Sequence, residues 1–209
     1  MSITGLFLIL FLTFHMSMNA VAIFSGEAYN GICEFLGANW YALVGTLVLA
    51  CGFILHIIFA MILTLRNMKA RPVGYSVQRN QNEVELSSQN MLVLGFVVIG
   101  GLLLHLTQFW AKMQLPEIMG AEAEYAGQFS DGAALIQATF SNPVICLIYL
   151  VWLVALWFHL THGFWSAFQT MGINGKTWFP RLKCIANIVA TIIFLGFGAV
   201  VVAGYIQSL

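Results

Sequence analysis

The chain has 209 residues, of which 60% are hydrophobic and 8% charged, and its formal net charge is zero. Soluble domains carry about a quarter charged residues, so this composition leaves no room for a soluble catalytic domain. It describes a single integral membrane domain over residues 1–209, and the balanced charge gives no reason to expect nucleic acid as a partner.

The first apolar run, Ile3–Phe24, lacks the basic segment of a secretory signal and is longer than its hydrophobic part. It reads as a first membrane helix. A short connection with Glu27 and Glu34 leads to a second run, Trp40–Leu65. Arg66 to Ser88 follows, rich in Gln and Asn, with Pro72 and Gly74 as breakers. It is a solvated connection or a docking face for a soluble subunit. The third run is Met91–Trp110. Lys112 to Asn142 is long for a helix connection, and its Ala-rich, Glu-bearing middle is expected to form a short helix lying across the outer face. Pro143–Phe168 and Leu182–Ile206 complete the set. Each run is near the roughly 20 residues that cross the hydrocarbon core as a helix. The expected fold is an all-α bundle of five transmembrane helices with no internal repeat.

Charge orients the bundle. Arg66, Lys69, Arg71 and Arg79 lie between the second and third runs, and Lys176, Arg181 and Lys183 between the fourth and fifth. The other two connections hold only Lys112 as a base, against Glu27, Glu34, Glu117, Glu122, Glu124 and Asp131. The positive-inside rule makes the basic side cytoplasmic, which puts the N-terminus inside.

Cys33, Cys51, Cys146 and Cys184 show no metal or redox spacing, and no C-x-x-C-H motif occurs. Any haem is therefore held non-covalently, and the cysteines read as small apolar residues.

All five histidines, His15, His56, His105, His159 and His162, fall inside the apolar runs. An ionisable group at membrane depth is costly and usually functional, and neutral imidazole is the usual nitrogen ligand of haem iron. At about 1.5 Å per residue, His105 lies about 8 Å and His15 about 13 Å from the outer ends of their helices. His162 lies about 9 Å and His56 about 13 Å from the inner ends. Two depth-matched pairs result, His15 with His105 outside and His56 with His162 inside, although depth alone would allow His15 and His56 to be exchanged. Gly52 and Gly101 stand four residues before His56 and His105, on the same helix faces. A flat macrocycle needs little side chain there; close helix packing is the other use of such glycines. His15 has Phe11 at the equivalent place. His159 and His162 are three apart, so both are not expected on iron. Gly163 favours His162, leaving His159 as a neighbouring or propionate-side group. The apolar runs hold no carboxylate. The outer acids read mostly as a solvated face; Glu34, just ahead of the second helix near Trp40, is the exception placed to take a proton from a quinol at the outer end, with Glu27 or the acidic loop after Lys112 as the alternatives.

The run His159-Leu-Thr-His162-Gly-Phe-Trp-Ser166-Ala-Phe-Gln169-Thr-Met-Gly172, together with Thr4-Gly5-Leu6…His15 and His56…Arg66, resembles the dihaem cytochrome b membrane-anchor subunits of succinate:quinone oxidoreductases, the succinate dehydrogenases and fumarate reductases. The likeness extends over essentially the whole chain. It implies two b haems, the proximal one on His56 and His162 and the distal one on His15 and His105. It implies a flavoprotein subunit with FAD and an iron–sulfur subunit on the cytoplasmic side, with menaquinone or menaquinol as the quinone, in a bacterial plasma membrane. Ser2 is what this sequence has of the polar segment the family carries ahead of the first helix, and Arg66, Lys69 and Arg71 are the candidates for propionates or for the iron–sulfur subunit. Some members carry an acid two positions before the fourth-helix ligand; here that residue is Leu160. Two alternatives stand beside this expectation. One is the cytochrome b subunit of a formate dehydrogenase or hydrogenase; the other is a haem-free transporter with a histidine proton relay.

Overall fold

The computed structural model describes residues 1–37, 40–70, 86–119 and 131–209. Within them the chain is all helix, and five helices are long and apolar enough to cross a membrane. The elements are α1 (Ser2–Phe24), α2 (Gly26–Gly37), α3 (Trp40–Ala70), α4 (Leu86–Gln89), α5 (Met91–His105), α6 (Ala111–Ile118), α7 (Gly132–Phe140), α8 (Pro143–Thr170) and α9 (Trp178–Gln207). A π-helical turn, Leu106–Trp110, joins α5 to α6, so the third span runs to Pro116. Arg71, Arg79, Glu122, Glu124 and the Ala-rich middle of the long connection lie outside the described residues.

Local chemistry sets the boundaries. Ser25, with an extended backbone, ends α1, and its hydroxyl accepts the Ala28 N–H at 3.1 Å to cap α2. Asp131 caps α7 through Ala134 N–H at 2.9 Å. Asn142 caps α8 through Val144 N–H at 2.9 Å, with Pro143 in the first turn, where a missing N–H costs nothing. At the other end of α8, Gly172 adopts φ +90°. Its N–H bonds Gln169 O and that of Ile173 bonds Phe168 O, both at 3.0 Å, the Schellman pattern that needs glycine at this point.

The centre of the bundle is α8 against α9, with α1 lying across both. Leu153, Leu156 and Leu160 of α8 meet Ala190, Ile193, Val200 and Val201 of α9 and Ile9 of α1 in one buried cluster. Small residues admit the close approaches: a Cβ on Gly204 would lie 2.9 Å from Ile136 and 3.0 Å from Phe140. The third span packs on α8, and α3 lies along α1. Neither α3 nor α5 buries a single residue fully, as expected of helices whose outer faces meet lipid. Gln114 of α6 ties them together, its side-chain oxygen accepting from Thr46 of α3 and from Trp110, each at 2.9 Å. Such side-chain bonds between helices stand in for the hydrophobic drive that lipid removes.

Two short helices that the sequence pattern did not announce, α2 and α7, cap one end. Asn30 joins them, donating to Asp131 at 2.7 Å and accepting from Ala133 N–H at 3.0 Å. Of the described basic residues, Arg66, Lys69, Lys176, Arg181 and Lys183 lie at the opposite end, with Arg181 and Lys183 in the first turns of α9, whereas Lys112 is on α6. Replacing Gly204 by Val is expected to wedge α7 off α9. The loss should be about 1–3 kcal/mol, typical of overpacking, read as a lower unfolding midpoint in detergent.

Candidate functional site

The five histidines are half-buried and face the interior of the bundle from four spans. Imidazoles that share one metal ion must each bring a ring nitrogen to about 2 Å from it, so their rings have to be neighbours. Near the capped end, His15 of α1 and His105 of α5 have ring centres 5.9 Å apart, with planes at 81°. Near the basic end, His56 of α3 lies 6.5 Å from His159 of α8, with planes at 71°. The expected outer pair is thus brought together. Of the expected inner pair, His56 has its ring contact with His159, and His162 meets Trp165, ring centres 4.8 Å apart. Three residues on a helix are about 60° from full register, so His159 and His162 lie on neighbouring parts of one face of α8.

The surroundings of the two pairs are unlike. The outer pair is walled by rings: Phe11 stacks on His15 at 5.3 Å, Phe197 stands 5.7 Å from it, and His105 is flanked by Phe109 at 5.2 Å and Trp152 at 6.0 Å. The inner pair touches the start of α1. Thr4 donates its only hydroxyl proton to Met1 O at 2.8 Å, so towards His56 Nδ1, 3.3 Å away, its oxygen can only accept. That arrangement keeps the proton on Nδ1 and leaves the Nε2 lone pair for a metal. Gly5 lies beside the same ring, where a Cβ would come within 3.4 Å of His56 Cε1.

Gly52 and Gly101 do carry flat rings on their bare faces, but the rings are side chains, Phe7 on Gly52 and Trp152 on Gly101. Trp152 Nε1 also donates to Val98 O at 3.1 Å. Here the glycines serve aromatic packing between helices. Glu34 and Glu27 are exposed on α2. The α2 residue that reaches inward is Tyr29, 8% exposed, whose hydroxyl donates to Asn19 Oδ1 at 3.0 Å. Burial, and then Cys33 beside it, pushes the Tyr29 phenol well above its ordinary range, so it stays protonated. Asn19 in turn reaches His15. Arg66 and Lys69 are exposed, about 15 and 20 Å along α3 from His56, and Ser2 is half-buried at the start of α1.

Pattern reading missed Thr4, Asn19, Tyr29 and Trp152 as neighbours of the histidines. Asn19 had a signal, an amide four residues after a histidine within an apolar run. Tyr29 had none, because its position depends on α2 folding back.

The number of donors fits a haem at each pair, but the tautomer at His15 does not: the Asn19 NH2 facing His15 Nδ1 can only donate, which favours the proton on Nε2. Two neutral imidazoles suffice for one haem iron, and groups of three or more metal-binding side chains are absent among the described residues. Two buried polar atoms beside the pairs lack hydrogen-bond partners, Tyr149 Oη near His105 and Nδ1 of His159. Compared with known families, curated proteins and solved structures, the chain matches none.

Replacing Gly101 by Val should expel the Trp152 indole from α5 and break its bond to Val98. A red-shifted tryptophan emission and a loss of roughly 1–3 kcal/mol are expected; unchanged emission would show that the glycine is not needed for this contact.

Proposed function

We propose that this chain is a dihaem cytochrome b, the membrane anchor that passes electrons between a menaquinone pool and a succinate dehydrogenase or fumarate reductase. The observation that carries the proposal is the pair of imidazole contacts at two depths, with ring centres 5.9 and 6.5 Å apart. His15 and His105 would hold the outer haem. His56 would hold the inner one with a partner from α8: Gly163 in the sequence motif favours His162, and ring proximity favours His159. When bound, the two haems supply one-electron carriers between a two-electron quinol and a two-electron flavin.

The residues of the chain have separate tasks. Thr4 keeps the His56 proton on Nδ1. Apolar and aromatic walls exclude water from both pairs. Protons of a quinol oxidised at the capped end need a base there, and Glu34 is the proposed acceptor, with Glu27 beside it on α2. Arg66 and Lys69, at the basic end, offer charge-assisted contacts to acidic groups of an iron–sulfur subunit, whose partner is an FAD-bearing flavoprotein. This reading puts the basic end at the cytoplasm of a bacterial cell and the N-terminus inside. The resemblance of the His159–Gly172 run supports the choice of succinate and fumarate partners over other respiratory dehydrogenases.

Purified protein should give a reduced-haem α-band and two haems per chain by pyridine haemochrome; absence of the α-band, or a haemochrome near zero per chain, would remove the proposal. His105→Ala should lose one haem and His56→Ala the other. Of His162→Ala and His159→Ala, the variant that loses the inner haem identifies its second histidine. Glu34→Gln should keep both haems while quinone-linked turnover falls tenfold or more, the usual size for loss of acid–base help. Full turnover in that variant would exclude Glu34.

A further inference from the structure

Between α8, α9 and the short α4, at the basic end of the bundle, lies a cleft of about 320 Å³. Its walls change with depth. Lys183 stands at the mouth, its ammonium 4.8 Å over the Trp165 ring and 4.9 Å over that of Phe179. One helical turn further along α9, about 6 Å deeper, Asn187 presents an exposed amide on the same helix face. Ser87 of α4 and the Trp165 indole line the same cleft. The side chains of Asn187, Ser87 and Trp165 have no hydrogen-bond partner among the described residues. Deeper still, the polar hydrogens are spent. Thr161 donates to Phe158 O at 2.9 Å, and Trp157 Nε1 donates to Thr191 Oγ1 at 3.0 Å. The floor therefore offers the rings of Trp157 and Phe158 and no free donor.

We infer that this cleft binds the head of an anionic phospholipid from the leaflet at the basic end. A phosphate diester matches the upper part. It brings a negative charge to Lys183 and acceptor oxygens to the amide, hydroxyl and indole donors. The apolar floor matches the start of an acyl chain. Polar groups exposed in a span are costly unless paired, and Asn187 needs an acceptor that hydrocarbon does not supply. Basic pockets between membrane helices are a general setting for anionic headgroups. A free phosphate would leave the apolar floor uncovered, and a neutral quinone would make no use of the cation. Nothing in the cleft depends on haem.

The test uses the full-length chain, purified in detergent and stripped of lipid, with bound phospholipid counted by native mass spectrometry. Phosphatidylglycerol should bind about fivefold tighter than phosphatidylcholine, the usual worth of one basic residue at a membrane surface. Lys183→Gln should abolish that preference. Asn187→Leu, which keeps the charge, should weaken both lipids several-fold, as a lost hydrogen bond does, and leave the preference in place. Arg181→Gln removes an equal charge from the neighbouring Trp178 ring and should behave as wild type. Equal binding of the two lipids by wild type would overturn the site. So would a loss of preference in Arg181→Gln matching that in Lys183→Gln, because it would show diffuse attraction to the whole basic end. Displacement of phosphatidylglycerol by millimolar inorganic phosphate, or one-for-one by a menaquinone, would overturn the lipid as occupant. If Lys183→Gln does not fold, wild-type lipid affinity in Asn187→Leu would by itself overturn the site.

Discussion

An imidazole in hydrocarbon has nowhere to send its N–H and lone pair except to other protein groups, and that restriction organises this bundle. Each unpaired polar atom at membrane depth costs free energy that no nearby water can return. The chain answers with local partners at His15 and His56, an amide and a hydroxyl respectively, and with a second imidazole facing each. The helices that carry these groups are arranged so that the polar atoms meet: α1 stands between α3 and α8 and reaches both pairs. The same restriction explains why charges are pushed to the ends, where the Lys183 ammonium lies 4.8 Å over the Trp165 ring and 4.9 Å over that of Phe179, the cation resting on two aromatic faces.

Hydrophobic length made the five spans legible, and their starts and ends fall within a few residues of expectation except where secondary structure overran a charge. α3 continues to Ala70, carrying Arg66 and Lys69 as helix rather than loop, and α9 starts at Trp178 with Pro180 in its first turn. Neither a terminal charge nor an early proline stops a helix whose next residues pack. The cap was not legible. α2 holds three glycines in twelve residues, a poor helix by propensity, and it forms because Ser25 caps it and Tyr29 packs inward. α7 sits in a stretch that reads as connection, and its buried Leu135, Ile136 and Phe140 acquire meaning only against α9.

The histidine pattern shows the same division. Depth counting joined His15 with His105, because both helices run in one direction and rise is regular. It could not separate His159 from His162, since three residues differ by about 4.5 Å in rise but by only about 60° in facing. Nor could it see that the bare faces of Gly52 and Gly101 carry Phe7 and Trp152, which is a matter of which helix lies opposite.

One feature of the packing bears on how the chain is made. The last helix carries no histidine, yet it supplies the floor on which the first one rests: Met16 sits on Gly196, Phe197 packs against His15, and Gln207 reaches the Ile23 carbonyl. These contacts join residues separated by nearly the whole length of the polypeptide. Loop closure over such a distance is slow relative to the pairing of neighbours, and during synthesis it has to wait until the ribosome has delivered α9. The first four spans therefore enter the bilayer with α1 lacking its main neighbour, and the outer histidines acquire their final surroundings only after α9 has been made.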